Sequence, residues 1–238
     1  MKILVTGAFG TVGSEIRKLD SSLICPTRKE LDITNLSQIE SNFEKYRPDV
    51  VLHLAAASRK EFDQDPKLGL SDNIIGTANI ALACAKFNVK LVYVSTDYVY
   101  VGDGPHIETE PIAGPNSFSW SKIGGECAVQ IVPKHLILRP SMGGPAPFLW
   151  QKVYDDQYNS QLYFDETAPL ILLATKSNIE GILNLGGPRG TLEEYARRTK
   201  PDIETMPRPE WVPHDISLDL TKMQKELGIT DLKNLFKH

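Results

Sequence analysis

The chain has 238 residues, 41% hydrophobic and 24% charged, which supplies enough apolar surface for a buried core and argues against disorder. A formal net charge of -4 without any long Lys/Arg cluster excludes the electrostatic footprint of a nucleic-acid binder. No run of 18 apolar residues occurs, and the apolar "ILV" follows Met1 and Lys2 without a basic leader, so a soluble, cytoplasmic protein with no membrane partner is expected. Cys25, Cys84 and Cys127 are odd in number and never spaced C-x-x-C, and the five histidines form no H-E-x-x-H. Neither a disulfide framework nor a metal site is expected; the cysteines read as small hydrophobes and His53 as a hydrogen-bonded core histidine.

In chain order, "KILVT" (2–6), "LICPT" (23–27), "DVVLHLA" (49–55), "KLVYVST" (90–96) and "HLILRP" (135–140) are near-continuous apolar runs, the pattern of parallel strands covered on both faces. Between them, "NLSQIESNFEKY" places Leu36, Ile39, Phe43 and Tyr46 on one helical face, with Asn35 and Gln38 spaced as a capping box and Pro48 as the stop. "SDNIIGTANIALACAKF" (71–87) reads as a long buried helix. Beyond residue 140 the periodicity loosens. "SMGGPAPF" is a loop, "LWQKVYDDQY" (149–158) and "APLILLATK" (168–176) read as helices, and "GILNLGG" reads as a strand. "TLEEYARR" is a helix boxed by Thr191 and Glu194, and "DLTKMQKELG" is a last helix stopped by Gly228.

The stretch "VTGAFGTVG" sets Gly7, Gly10 and Gly13 between the first strand and the first helix. Glycines there let the backbone turn tightly and approach a diphosphate, whose charge meets free N–H groups and the positive end of the helix dipole. Phe9, Thr11 and Val12 complete the candidate coenzyme turn. The G-x-x-G-x-x-G spacing resembles the short-chain dehydrogenase/reductase superfamily, which implies an α/β fold with a Rossmann-type doubly wound parallel sheet. After the second strand the chain reads Thr27-Arg28, where an arginine accommodates a 2′-phosphate, so NADP is preferred to NAD. A solvated surface arginine is the plainer reading of Arg28. In extended members of that superfamily Asp32 and Ile33 would lie against the adenine.

"VSTDYVYVGDG" (94–104), "SFSWSKIGGE" (117–126), "RPDVVLHLAAA" and "LDIT" together resemble the dTDP-4-dehydrorhamnose reductase family of extended short-chain dehydrogenases. The resemblance covers roughly residues 1–142, taken as the coenzyme-binding domain, and leaves 143–238 as a reduced C-terminal substrate lobe with segments returning to the sheet. It implies an oxidoreductase that passes a hydride to the C4 ketone of a nucleotide-linked deoxysugar. Thr96 would hydrogen-bond the carbonyl oxygen, and Lys122 would hold the nicotinamide ribose and lower the pKa of a tyrosine four residues earlier, the proton donor. Asn73 would fix the backbone near the site. Leu54, Ala55, Ala56, Arg139 and Ser141 would line the nicotinamide side, and Tyr98 and Met142 would meet the sugar. Trp120 and Trp150 read as packing residues.

Position 118 is phenylalanine, which keeps the ring and lacks the hydroxyl. Three accounts stay open: an introduced Tyr→Phe change, a natural loss that leaves a binding protein, or a proton supplied by Tyr98, Thr96 or water. Two other functions share the resemblance. One is a non-catalytic NAD(P)-binding regulatory subunit, like that of methionine adenosyltransferase; the other is a nucleotide-sugar epimerase or dehydratase. The superfamily also implies a possible homodimer.

Overall fold

A computed structural model describes residues 1–58, 61 and 64–238. The first half runs β1 (Ile3–Thr6), α1 (Thr11–Leu19), α2 (Leu36–Tyr46), β2 (Val50–His53), a π-helical stretch Gly69–Gly76 continuing into α3 (Thr77–Phe87), β3 (Lys90–Val94), α4 (Ser117–Val129) and β4 (His135–Pro140). Then come β5 (Met142–Gly144), β6 (Lys152–Tyr154), β7 (Tyr158–Asn159), β8 (Leu162–Tyr163), α5 (Phe164–Lys176), β9 (Gly181–Leu185), β10 (Gly190–Thr191), α6 (Leu192–Arg197), β11 (Glu204–Met206) and α7 (Thr221–Leu227).

The main sheet has the order β1-β2-β3-β4-β9, and every pair in it is parallel. Side chains alternate across it: Ile3, Val5, Leu52, Val92 and Leu138 pack with Ile16 of α1 and Ile171 of α5. On the other face Leu4, Val51, Leu91, Tyr93 and Ile137 pack with Phe43 of α2 and Ile80 of α3. Two apolar faces per strand explain why the strands read as unbroken hydrophobic runs. A smaller cluster of Phe148, Val153, Tyr163, Tyr195 and Ile203 holds the C-terminal part together.

Several local expectations need correction. Residues 23–27 form no full strand: Ile24 alone bridges to Leu4, through Val5 N–H to Ile24 O (2.8 Å) and Ile24 N–H to Ile3 O (2.9 Å). That bridge still lies on the edge of β1 opposite β2, so the chain reverses direction across the sheet at β1 and opens a crevice at its C-terminal end. The segment 149–158 is extended, not helical, because β6 pairs with the distant β11 and β7 with β10. At α2, Asn35 caps Gln38 N–H, but the Gln38 side chain accepts from Asp32 N–H, so the box is half formed. The Thr191/Glu194 box and the left-handed Gly228 stop are as expected. Cys84 is buried and Cys25 half-buried, whereas Cys127 is exposed. Among the described residues no helix is long and apolar enough to cross a membrane.

Candidate functional site

The turn after β1 is built from glycines for two different reasons. Gly7 has φ +70°, and a Cβ there would lie 2.5 Å from Ala55 N, against the chain leaving β2. A Cβ on Gly13 would lie 2.3 Å from Gly7 O, so α1 seats directly on the turn. Gly10 is less constrained by packing, its nearest neighbour being Gly7 O at 3.2 Å, and its bare backbone faces a cleft. It caps α1 without a side-chain hydrogen bond, and no acidic residue follows in the first turn. The first intrahelical bond runs from Ser14 N–H to Gly10 O (2.8 Å), so the N–H groups of Thr11, Val12 and Gly13 lie outside the helix ladder. Uncapped donors beside a cradle that a Cβ would fill suit a diphosphate.

The cleft has a volume of about 200 Å³. Gly7, Ala8, Phe9 and Gly10 form one wall, Pro26, Arg28, Leu31 and Ile33 the other, and Ala55, Ala56 and Asp72 complete it. Phe9 is 55% exposed and carries the Arg17 guanidinium 4.3 Å from its ring centre. Arg28 reaches across to Asp72, Nη2 to Oδ2 3.3 Å. Asp32 does not join the lining: its carboxylate accepts from Thr34 N–H and Oγ1, and Thr34 N–H is the main cause that lowers its pKa. Leu54 and Val12 pack on the core behind the cleft.

The second cluster lies at the ends of β3 and α4. Asn116 caps α4 by accepting from Ser119 N–H and Oγ, which sets half-buried Phe118 in the first turn and Lys122 one turn later. Lys122 is buried; its Nζ donates to Val94 O (2.9 Å) and lies 4.3 Å from the Tyr93 ring centre. Burial lowers its pKa to about 7, against the opposing charge of Glu126. Two residues past Val94, the Thr96 hydroxyl donates to the Asp97 carboxylate (3.1 Å) and accepts from Tyr98 N–H (3.2 Å). Burial raises the Asp97 carboxyl to about 6. α4 packs directly on the turn Asp97–Val99. The helix thus delivers Lys122 to the strand end that carries Thr96.

Asn73 braces this arrangement. Fully buried, it accepts from Ala57 N–H (2.7 Å) and donates to Ser121 Oγ (2.9 Å), tying the end of β2 to α4. His53 bridges Thr6 (2.6 Å) and Thr77 (3.0 Å), and burial lowers its pKa to about 3, so it stays a neutral structural group. Arg139 lies in β4, and its buried guanidinium bonds Glu126 through two nitrogens (2.7 and 3.1 Å) and Tyr100 Oη (3.0 Å). Ser141 is buried and anchored by its N–H to Leu185 O. Met142 is half-buried opposite Leu162, and Tyr98 is half-buried beside Thr96. Trp120 and Trp150 are 55% and 58% exposed, so each packs on one face only.

Residues 1–142 match the family described as the RmlD substrate binding domain. The chain belongs to that family. Among its relatives, the dTDP-4-dehydrorhamnose reductase of Streptomyces griseus is 33% identical over 138 residues, 55% of this chain and 45% of that protein. The methionine adenosyltransferase 2 subunit beta of Xenopus laevis is 28% identical over 141 residues, 54% of this chain and 42% of that protein. The chain thus spans about half the length of the curated relatives it matches. In fold it is similar to dTDP-4-dehydrorhamnose reductase from Bacillus anthracis, solved in complex with NADP: TM-score 0.82, 24% identity, 98% of this chain and 95% of that one.

Sequence reasoning missed several residues of this RmlD-family site, among them Ala8 and Pro26 of the cleft. Asp72 and Ser121 flank Asn73 and Lys122 in sequence, yet which way each points depends on the wide π turn and on helix phase. Asp97 was legible only as the neighbour of Thr96. Leu31 reaches the cleft from a segment without periodic pattern.

Proposed function

We propose that this chain binds a nicotinamide coenzyme, NADP or NAD, in the glycine-walled cleft, and that its fold is built to reduce a nucleotide-linked 4-keto-6-deoxysugar. In this reading residues 1–142 hold the coenzyme, and residues 143–238, apart from α5 and β9 on the main sheet, meet the sugar. The observation that carries it is Lys122, one helical turn after position 118, buried and hydrogen-bonded to Val94 O two residues before Thr96. A lysine excluded from water at such cost is retained where its charge has work to do.

The coenzyme supplies a hydride when bound. The chain's own part is to orient and to manage a proton. Thr96 presents a hydroxyl whose position is fixed by Asp97 and Tyr98 N–H, ready to turn its proton toward a substrate oxygen. Lys122 would be about half protonated near neutral pH, a cation able to hold ribose hydroxyls and to stabilise charge on an acid one turn away. Phe118 cannot be that acid. Without the hydroxyl, turnover should fall by about 10² to 10⁴, with fold and coenzyme binding kept.

A second reading, a non-catalytic coenzyme-binding regulatory subunit, draws support from Phe118 itself and from the Xenopus laevis relative. Both readings require the coenzyme, so titration of the full chain with NADPH and NADH, followed by tryptophan fluorescence, tests their common base. Saturable binding of either is the expected result, and absence of binding by both would overturn it. Ketosugar-dependent oxidation of NADPH or NADH then separates the readings: slow turnover favours the reductase, none the subunit.

A further inference from the structure

The cleft carries a charge arrangement that the glycine turn does not explain. Arg28 is 70% exposed at the rim, while its partner Asp72 is buried, its Oδ2 facing Arg28 Nη2 (3.3 Å) and its Oδ1 accepting from Ser71 Oγ (2.9 Å). Asp72 gets there because the segment Gly69–Gly76 is wound as a π-helix, whose wide turn aims Asn73 at Ala57 and Ser121 and leaves its neighbour to line the cleft. Two further carboxylates feel the charge of Arg28 without pairing with it. Asp32 is lowered chiefly by Thr34 N–H and Glu61 by Ser58 N–H, and the charge of Arg28 adds to both. Asp72 is the carboxylate in direct contact with Arg28, while Arg17 lies on Phe9 of the same cleft.

We propose that Asp72 is the residue that sets coenzyme preference, by competing with a ribose 2′-phosphate for Arg28 across the cleft. This rests on the coenzyme site proposed above. A dianionic phosphate approaching Arg28 must displace the Asp72 carboxylate and then share the cleft with it, whereas a coenzyme bearing only ribose hydroxyls leaves the pair intact and meets no repulsion. The arginine alone would favour NADPH; the pair narrows that advantage and keeps NADH usable.

Dissociation constants of the unliganded full chain for NADPH and NADH, measured by calorimetry for the parent, Asp72→Asn and Arg28→Ala, test this without reliance on turnover. Asn keeps the volume of Asp72 and removes the charge. D72N should tighten NADPH by about 5- to 10-fold and leave NADH within about twofold, with the gain shrinking between 0.05 and 0.5 M salt. R28A, at an exposed position that spares the fold, leaves Asp72 uncompensated and should lower the NADPH-to-NADH preference by at least about tenfold. An unchanged or reduced NADPH preference in D72N, or an unchanged one in R28A, would overturn the assignment of Asp72 while the coenzyme site stands. Binding of neither coenzyme by any of the three proteins would remove the site itself.

Discussion

At the nucleotide end, the residues that backbone geometry demands are all in place: Gly7 at positive φ, Gly13 in the first turn of α1 against Gly7 O, and uncapped N–H groups between them. At the catalytic end the framework is equally complete, with Asn116 capping α4, Asn73 bracing it, and Lys122 held on Val94 O. Yet that end carries Phe118 and so lacks the hydroxyl that the proposed reduction would call for. The difference teaches that framework and reaction are separable here. Nothing that positions Lys122 passes through the side chain at 118, so a phenylalanine can stand there without disturbing the scaffold.

The most severe way to disturb the catalytic end is to unclamp α4. Glu126 lies one turn beyond Lys122 and pairs with Arg139 in a site where the side chains are 0% and 2% exposed. Glu126→Leu would strand a buried guanidinium and should cost about 3–5 kcal/mol in urea denaturation. A loss under about 1 kcal/mol would show that the pair does not hold the helix.

At the nucleotide end the two kinds of glycine should part company. Gly7→Ala forces a side chain into left-handed backbone and against Ala55, costing at least about 1–3 kcal/mol. Gly10→Ala should cost less stability than Gly7→Ala, since it meets one tight contact, Gly7 O at 3.2 Å, and no left-handed backbone, but should weaken coenzyme binding about tenfold by filling the cradle. Equal effects of the two on stability would erase the distinction.

A smaller effect follows from the burial of Lys122. Folded, it sheds its proton near 7; unfolded, it keeps it to about 10.5, so between those values the unfolded chain binds more protons and stability rises with pH. The slope contributed by this residue is at most about 1.4 kcal/mol per pH unit. Denaturation of the unliganded protein at pH 7.5 and 9 should show the rise, and Lys122→Met should flatten it. A slope identical in both proteins would mean that Lys122 is more solvated than its position indicates.

The main sheet was legible because parallel strands with two buried faces write themselves as continuous apolar runs, as β1 and β3 do. The second such run in the chain, at 23–27, was read as a strand although only Ile24 pairs. Its hydrophobicity serves the edge of the core rather than a ladder. The stretch 149–158 misled for the opposite reason. Its strands are two or three residues long and take partners some thirty to fifty residues away, so local pattern carries no trace of the pairing. At the site the glycines were readable from their spacing between strand and helix, whereas Thr96 and Lys122 were placed through the family resemblance. Asp72 was not, because its direction depends on a π turn, and the Arg139–Glu126 pair was not, because its two residues lie on different elements.

The claim that the scaffold is intact and short of one oxygen is met most directly by Phe118→Tyr. With NADPH or NADH and a dTDP-linked 4-keto-6-deoxysugar, single-turnover rates should rise by about 10² to 10⁴ over the parent while coenzyme affinity stays within about twofold. Equal rates in the two proteins, with coenzyme shown to be bound in both, would contradict the account.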